Sequence, residues 1–188
     1  MRVMVAVADK GFQQQLFDVL KRAGYLVVAG YSDAKTALQA ALQIEPDIII
    51  VDDNLPGGSL MLVRDIYEHG LAPVLLATDY AEQDMLHMAK VPGIFGILVK
   101  PLQETAVLPA IEVAVHTFNR IKSLEAEIKR LKKELENRKL VERAKGLLMD
   151  TYGMTEKEAF RFMQKKSMDK CVPLNKIAKN VIIKLQKK

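Results

Sequence analysis

Five short runs of Val, Ile and Leu, at residues 3–8, 26–29, 48–51, 74–77 and 97–99, limit the fold of this chain more severely than any other feature. Each is brief and almost continuously apolar, the pattern of parallel strands covered on both faces. Helix-periodic segments separate them: residues 12–23, closed by Gly24; 34–43, before Glu45 and Pro46; 60–69, closed by Gly70; 81–90, before Pro92 and Gly93; and Gln103 onward. Strand and helix alternating five times predicts an α/β domain with right-handed crossovers over residues 1–120. The expected strand order is 2-1-3-4-5, with ligands at the carboxyl ends of the strands.

The helical pattern does not stop there. Ile121, Leu124, Ile128, Leu131 and Leu135 recur at alternating spacings of three and four, with Glu and Lys between them. This is a heptad seam, and it breaks at Arg138, so residues 121–137 predict a short coiled-coil linker that is weak by itself. A helix packed back on its own domain is the alternative; a homodimer is favoured because the segment is too polar to bury a second face. Residues 138–188 then read as three helices. The first runs through Val141, Ala144, Leu147 and Leu148 to Tyr152 and Gly153. The second, residues 155–166, opens on a capping box of Thr155 and Glu158 and carries Ala159, Phe160, Phe162 and Met163, with Phe160 expected in the core. The third follows Pro173 and carries Ile177, Ala178, Val181, Ile182 and Leu185.

Charge is divided in the same places. The 188 residues carry +5 overall, but residues 1–120 hold −5, the linker +1 and residues 138–188 +9. An acidic front and a basic tail suggest a regulatory domain joined to a module that meets a polyanion. With 49% hydrophobic residues, wholesale disorder is excluded. One cysteine, Cys171, and scattered His69, His87 and His116 offer neither a disulfide nor zinc-ligand spacing. No apolar run approaches the roughly 20 residues of a membrane span, and residues 1–8 read as a strand rather than a signal peptide, so a cytoplasmic protein without a membrane partner is expected.

The third strand runs into Asp52, Asp53, Asn54, Leu55 and Pro56; the fourth ends in Thr78 and the fifth in Lys100 and Pro101. The inferred sheet brings these ends to one rim, where Asp52 can accept a phosphoryl group, the Thr78 hydroxyl can follow the new charge and Lys100 can pair with its oxygens. Asp53, if the strand continues, points away from Asp52.

At these residues the chain resembles the receiver domain of two-component response regulators, a flavodoxin-like fold, over nearly all of residues 1–120. The resemblance implies Asp52 as phosphoacceptor, Thr78 as switch residue, Lys100 as the receiver lysine, and a histidine kinase or regulatory protein as partner. It departs most importantly in one place. Receivers end their first strand in two adjacent acids that hold Mg²⁺, and Val7 and Ala8 stand there; only Asp9, one step on, is acidic. Asp52 and Asp9 alone make a weak Mg²⁺ site or none, so no cofactor is certain. The aromatic position usual three residues before the lysine is Ile97. A degenerate receiver, poorly phosphorylated and serving as a docking or dimerisation platform, is the expectation.

The stretch from Arg138 through Ala144, Lys145, Gly146, Leu147, Leu148 and Met149, then Gly153, Met154, Thr155 and Glu156 with Ala159, Phe160, Arg161, Met163, Gln164, Ser167 and Asp169, resembles an ANTAR domain, an RNA-binding module of bacterial transcription antiterminators. The family's usual second basic residue after Lys170 is replaced by Cys171 and Val172. Loops of RNA are read by stacking and base edges, which makes Tyr152 or Met149 candidates, flanked by Arg143, Lys145, Arg161, Lys165 and Lys170; core packing is the alternative for Tyr152. Lys184, Lys187 and Lys188 read as solvated or as non-specific contacts. Together these features predict a non-enzymatic antiterminator that binds leader-RNA hairpins and blocks terminator formation. A phosphorylation-gated switch and a protein-interaction adaptor without RNA are the rivals.

Overall fold

The computed structural model describes residues 1–79 and 87–186; most of the helix expected at 81–90, together with Lys187 and Lys188, lies outside the described residues. The chain forms two compact units, Met1–Lys122 and Ser123–Lys188.

In the first unit, β1 (Arg2–Ala6), α1 (Lys10–Arg22), β2 (Leu26–Tyr31), α2 (Ala34–Ile44), β3 (Ile48–Asp52), α3 (Ser59–Glu68), β4 (Val74–Thr78) and β5 (Ile94–Val99) precede α4 (Glu104–Tyr152). The five strands form one sheet in the order β2-β1-β3-β4-β5, and every pairing is parallel. The order expected from the alternation of elements is the order observed. Strand periodicity divides the core into two layers. Met4, Ala6, Ile49, Val51 and Leu76 face α2 and α3, while Val3, Val5, Ile48, Ile50 and Leu75 pack with Leu16 and Leu20 of α1 and with Val107, Ile111 and Ala114 of α4.

The fifth strand begins three residues earlier than its apolar run because Gly96 interrupts that run. A Cβ there would stand 2.8 Å from Leu75 Cδ2 on the neighbouring strand, so a larger residue would have to displace that leucine side chain.

In the second unit the remainder of α4 is joined by α5 (Glu156–Asp169) and α6 (Leu174–Leu185). Ala144 and Leu148, Ala159 and Met163, and Ile177, Ala178 and Ile182 meet in a small core. Their spacing of four supplies one inward stripe per helix. Gly153, at φ +66°, stops α4 in the left-handed conformation and donates its N–H to Met149 O. Thr155 then caps α5 with the full capping box, Glu158 reaching back to the Thr155 backbone. Phe160 does not enter the core as expected: it is 40% exposed and Phe162 38%. Ala159 and Met163 occupy the inward stripe, which leaves both rings outside it.

Candidate functional site

Strands β3, β4 and β5 end side by side, and their last residues assemble the first site. Asp52 closes β3 and is 3% exposed. The ammonium of Lys100, which follows β5, donates to Asp52 Oδ1 at 2.8 Å, lies 3.4 Å from Asp79 Oδ2 and 4.0 Å from Asp53 Oδ1, and sits 4.7 Å from the centre of the Phe12 ring. Thr78 is buried, and its hydroxyl donates to Asp53 Oδ2 at 2.7 Å. The structure thus brings Asp52 and Lys100 into direct contact and ties Thr78 to them through Asp53.

Asp53 corrects the sequence reading. The strand ends at Asp52, and the Asn54 N–H bonds back to Asp52 Oδ1 at 3.2 Å, a local turn that swings Asp53 into the same pocket. Burial pushes the Asp53 carboxyl above the ordinary carboxylate range and the adjacent Asp52 adds to this, against the Thr78 hydrogen bond and the Lys100 charge. Burial disfavours the Lys100 charge, yet the hydrogen bond and charge of Asp52, with Asp79 behind them, hold its ammonium above the ordinary lysine value.

The Mg²⁺ site implied by the receiver resemblance does not fit these residues. Val7 is fully buried in the core. Asp9 is spent as the N-cap of α1, accepting from the Phe12 N–H at 2.6 Å, and no ion pair or hydrogen bond links it to Asp52. Asp53 accepts from Thr78 at one oxygen and from the Asn54 amide at the other. Among the described residues no cluster of three His, Cys, Asp or Glu side chains is arranged to hold a metal. Among the described residues, Lys100 supplies the ammonium that meets Asp52.

The second unit presents its chemistry on the surface. Leu124, Ile128, Leu131 and Leu135 are between 42% and 54% exposed, and Ile121, at the end of the first unit, is 39% exposed. Arg143, Tyr152, Arg161, Lys165 and Lys170 are exposed as well. Lys145 departs from that set: it is buried, with its ammonium 2.8 Å from Glu142 Oε2 and 2.6 Å from Glu156 Oε1. Those hydrogen bonds raise its pKa and lower that of Glu156, and they tie α4 to the first turn of α5 rather than offering a cation to a ligand. Tyr152 and Lys170 line a groove together with Phe162, Lys166 and Lys184, which the sequence reading did not assign to a site. The signal for them was their spacing: Phe162 and Lys166 stand four apart on one helix, and Lys170 four further.

A parallel five-stranded domain with an aspartate, a threonine and a lysine on its carboxyl rim, followed by a basic helical module, defines the class of response regulators. The profile of the response regulator receiver domain matches residues 3–112 and that of the ANTAR domain residues 129–182, and the chain belongs to this family. It is 35% identical over 182 residues, 96% of this chain and 89% of its relative, to the transcriptional regulatory protein PdtaR of Mycobacterium tuberculosis. Among solved structures, the signal receiver domain of a modulated diguanylate cyclase from Desulfovibrio desulfuricans superposes with TM-score 0.58 at 23% identity, covering 63% of this chain and 95% of that one. A two-component response regulator of the LuxR family from an Aurantimonas species gives TM-score 0.57 at 27% identity, covering 62% of this chain and 85% of that one. The family is regulatory rather than catalytic. No helix among the described residues is long and apolar enough to cross a membrane.

Proposed function

We propose that this chain is an RNA-binding transcription antiterminator: a homodimer that holds hairpins of a leader transcript and keeps a competing terminator from forming. In this reading residues 1–120 are the receiver, 121–137 the coiled-coil linker and 138–188 the RNA-binding module. The observation that carries it is the ANTAR match on a module of net charge +9 whose Arg143, Arg161, Lys165 and Lys170 stand in solvent. Such a surface neutralises several phosphates and gives salt-dependent affinity.

Charge favours a parallel, in-register dimer. With Ile121 and Ile128 at a and Leu124 and Leu131 at d, the pattern is the one that selects two strands. In that register Arg120 faces the partner chain at Glu125, Glu127 at Lys132, and Glu134 at Lys139, three attractive pairs on each side. An antiparallel arrangement on the same seam puts g against g, so that Glu127 meets Glu127 or Glu134 of the partner chain. Two modules held on one dimer raise each other's effective concentration on a two-hairpin RNA.

The receiver in this reading is a platform that works without Mg²⁺-dependent phosphorylation, because Val7 and Ala8 stand at the positions of the acid pair and Asp9 is a helix cap. The convergence of Asp52, Lys100 and Thr78 favours a second reading, a kinase-driven switch at Asp52. The deciding experiment uses the unphosphorylated full-length chain, titrated with salt against a two-hairpin leader RNA, duplex DNA and loop-mutated RNA. Tight, loop-dependent RNA binding is expected; equal binding to DNA and RNA sinks the antiterminator. Stoichiometric Mg²⁺-dependent labelling of Asp52 by acetyl phosphate would establish the switch.

A further inference from the structure

The tip of α4, the outer face of α5 and the side of α6 enclose an open groove of about 690 Å³ within the second unit, a volume in the range of clefts that take small ligands (about 300–1,000 Å³). Its floor is apolar, built on the buried side chains of Leu148 and Ile177. Tyr152, 58% exposed, and Phe162 stand in its wall. Lys166, Lys170 and Lys184 also line it, and no Asp or Glu does. The Lys166 ammonium lies 5.9 Å from the centre of the Phe162 ring.

Rings left this exposed forgo the burial that folding usually gives them, and here they do so beside three ammonium groups. A purely apolar partner segment would strand those charges, and a cationic one would be repelled. What suits the combination is a ligand with a flat apolar face and a negative charge attached to it. An unpaired nucleotide has both: a base that stacks on an aromatic side chain and a phosphate that meets lysine. Asn180, also on the lining, offers an amide donor and acceptor of the kind that reads a base edge.

We propose that this groove is the subsite for an unpaired loop nucleotide, its base against Tyr152 and Phe162 and its phosphate on Lys166, Lys170 and Lys184. The assignment rests on the RNA-binding reading and adds the place where the loop is read. Arg143, Arg161 and Lys165 do not line the groove and fall to backbone contacts outside it.

The test uses the full-length chain and a hairpin RNA enriched by it from a randomised-loop pool, with 2-aminopurine placed at each loop position in turn. Tyr152→Leu and Phe162→Leu keep apolar bulk and remove the stacking face. Each is expected to weaken binding about 5- to 100-fold and to abolish the fluorescence change at one loop position. Lys166→Gln, Lys170→Gln and Lys184→Gln are each expected to reduce the log–log salt slope by about 0.7. Variants with unchanged circular dichroism that bind as the parent does, with the same 2-aminopurine response, overturn the groove while leaving RNA binding intact. Failure of the parent chain to enrich any RNA at low salt overturns the RNA-binding reading and the groove with it.

Discussion

Two lysines of this chain are held by carboxylates rather than by solvent, one in each unit. Lys100 stands among Asp52, Asp53 and Asp79. Lys100→Met leaves Asp52 buried without its cation, so the variant is expected to lose about 3–5 kcal/mol of stability near neutral pH, read by urea unfolding. Because the folded-state pKa of Lys100 is raised, its contribution is intact below the ordinary lysine value of 10.5 and is lost as pH rises through the higher folded value. The stability gap between parent and variant should therefore close only above pH 10.5. Lys145 is a structural cation of the second unit, held by Glu142 and Glu156. Lys145→Met is expected to lower the melting temperature and leave the salt slope of RNA binding unchanged. A fall in that slope on removing Lys145 would return it to the RNA contacts. Residue types at strand ends announced Asp52, Thr78 and Lys100, but sequence alone gave Lys145 the same look as its exposed neighbours. Its role depends on Glu156, eleven residues on and across a helix junction, which no single-helix periodicity displays.

Among elements, α5 owes its start to a few groups. Thr155→Ala removes the cap and is expected to cost the second unit about 1 kcal/mol in chemical denaturation. The backbone hydrogen bond from Thr155 lowers the Glu158 pKa below its ordinary 4.5, and the Lys145 hydrogen bond does the same for Glu156. A lowered carboxylate contributes above its ordinary value and loses that contribution as pH falls through the folded one. Amide protection at the start of α5, taken relative to the intrinsic exchange rate at each pH, should accordingly fall as pH drops below 4.5, and do so less in Glu156→Gln. The capping box was legible in the sequence because its four residues are contiguous. The exposure of Phe160 was not, since an aromatic beside alternating apolar residues fits either face until the partner helices are placed. Coiled-coil pairing is testable at this scale too. Glu127→Lys with Glu134→Lys should weaken the dimer in analytical ultracentrifugation, and adding Lys132→Glu and Lys139→Glu should restore it.

For the molecule as a whole, the alternation of five apolar runs with helical segments was enough to order the sheet, because handedness and short connections leave few topologies. The division into receiver and tail was visible as charge, −5 against +9. The acidic edge was less legible: its polar groups come from three separate stretches of chain, and the turn after β3 redirects Asp53 where strand alternation points it outward. Leu124→Glu with Leu131→Glu is expected to give monomers in sedimentation and to lower affinity for a two-hairpin RNA by about 100-fold or more, while affinity for one hairpin holds. Unchanged two-hairpin affinity in a monomer would sever the linker from RNA recognition. Lys100, finally, is a counter-ion that the chain synthesises for itself. On the platform reading proposed above, Lys100 gives Asp52 a counter-ion without drawing on free metal, so the regulator's output is expected to hold steady when a cell is starved of magnesium.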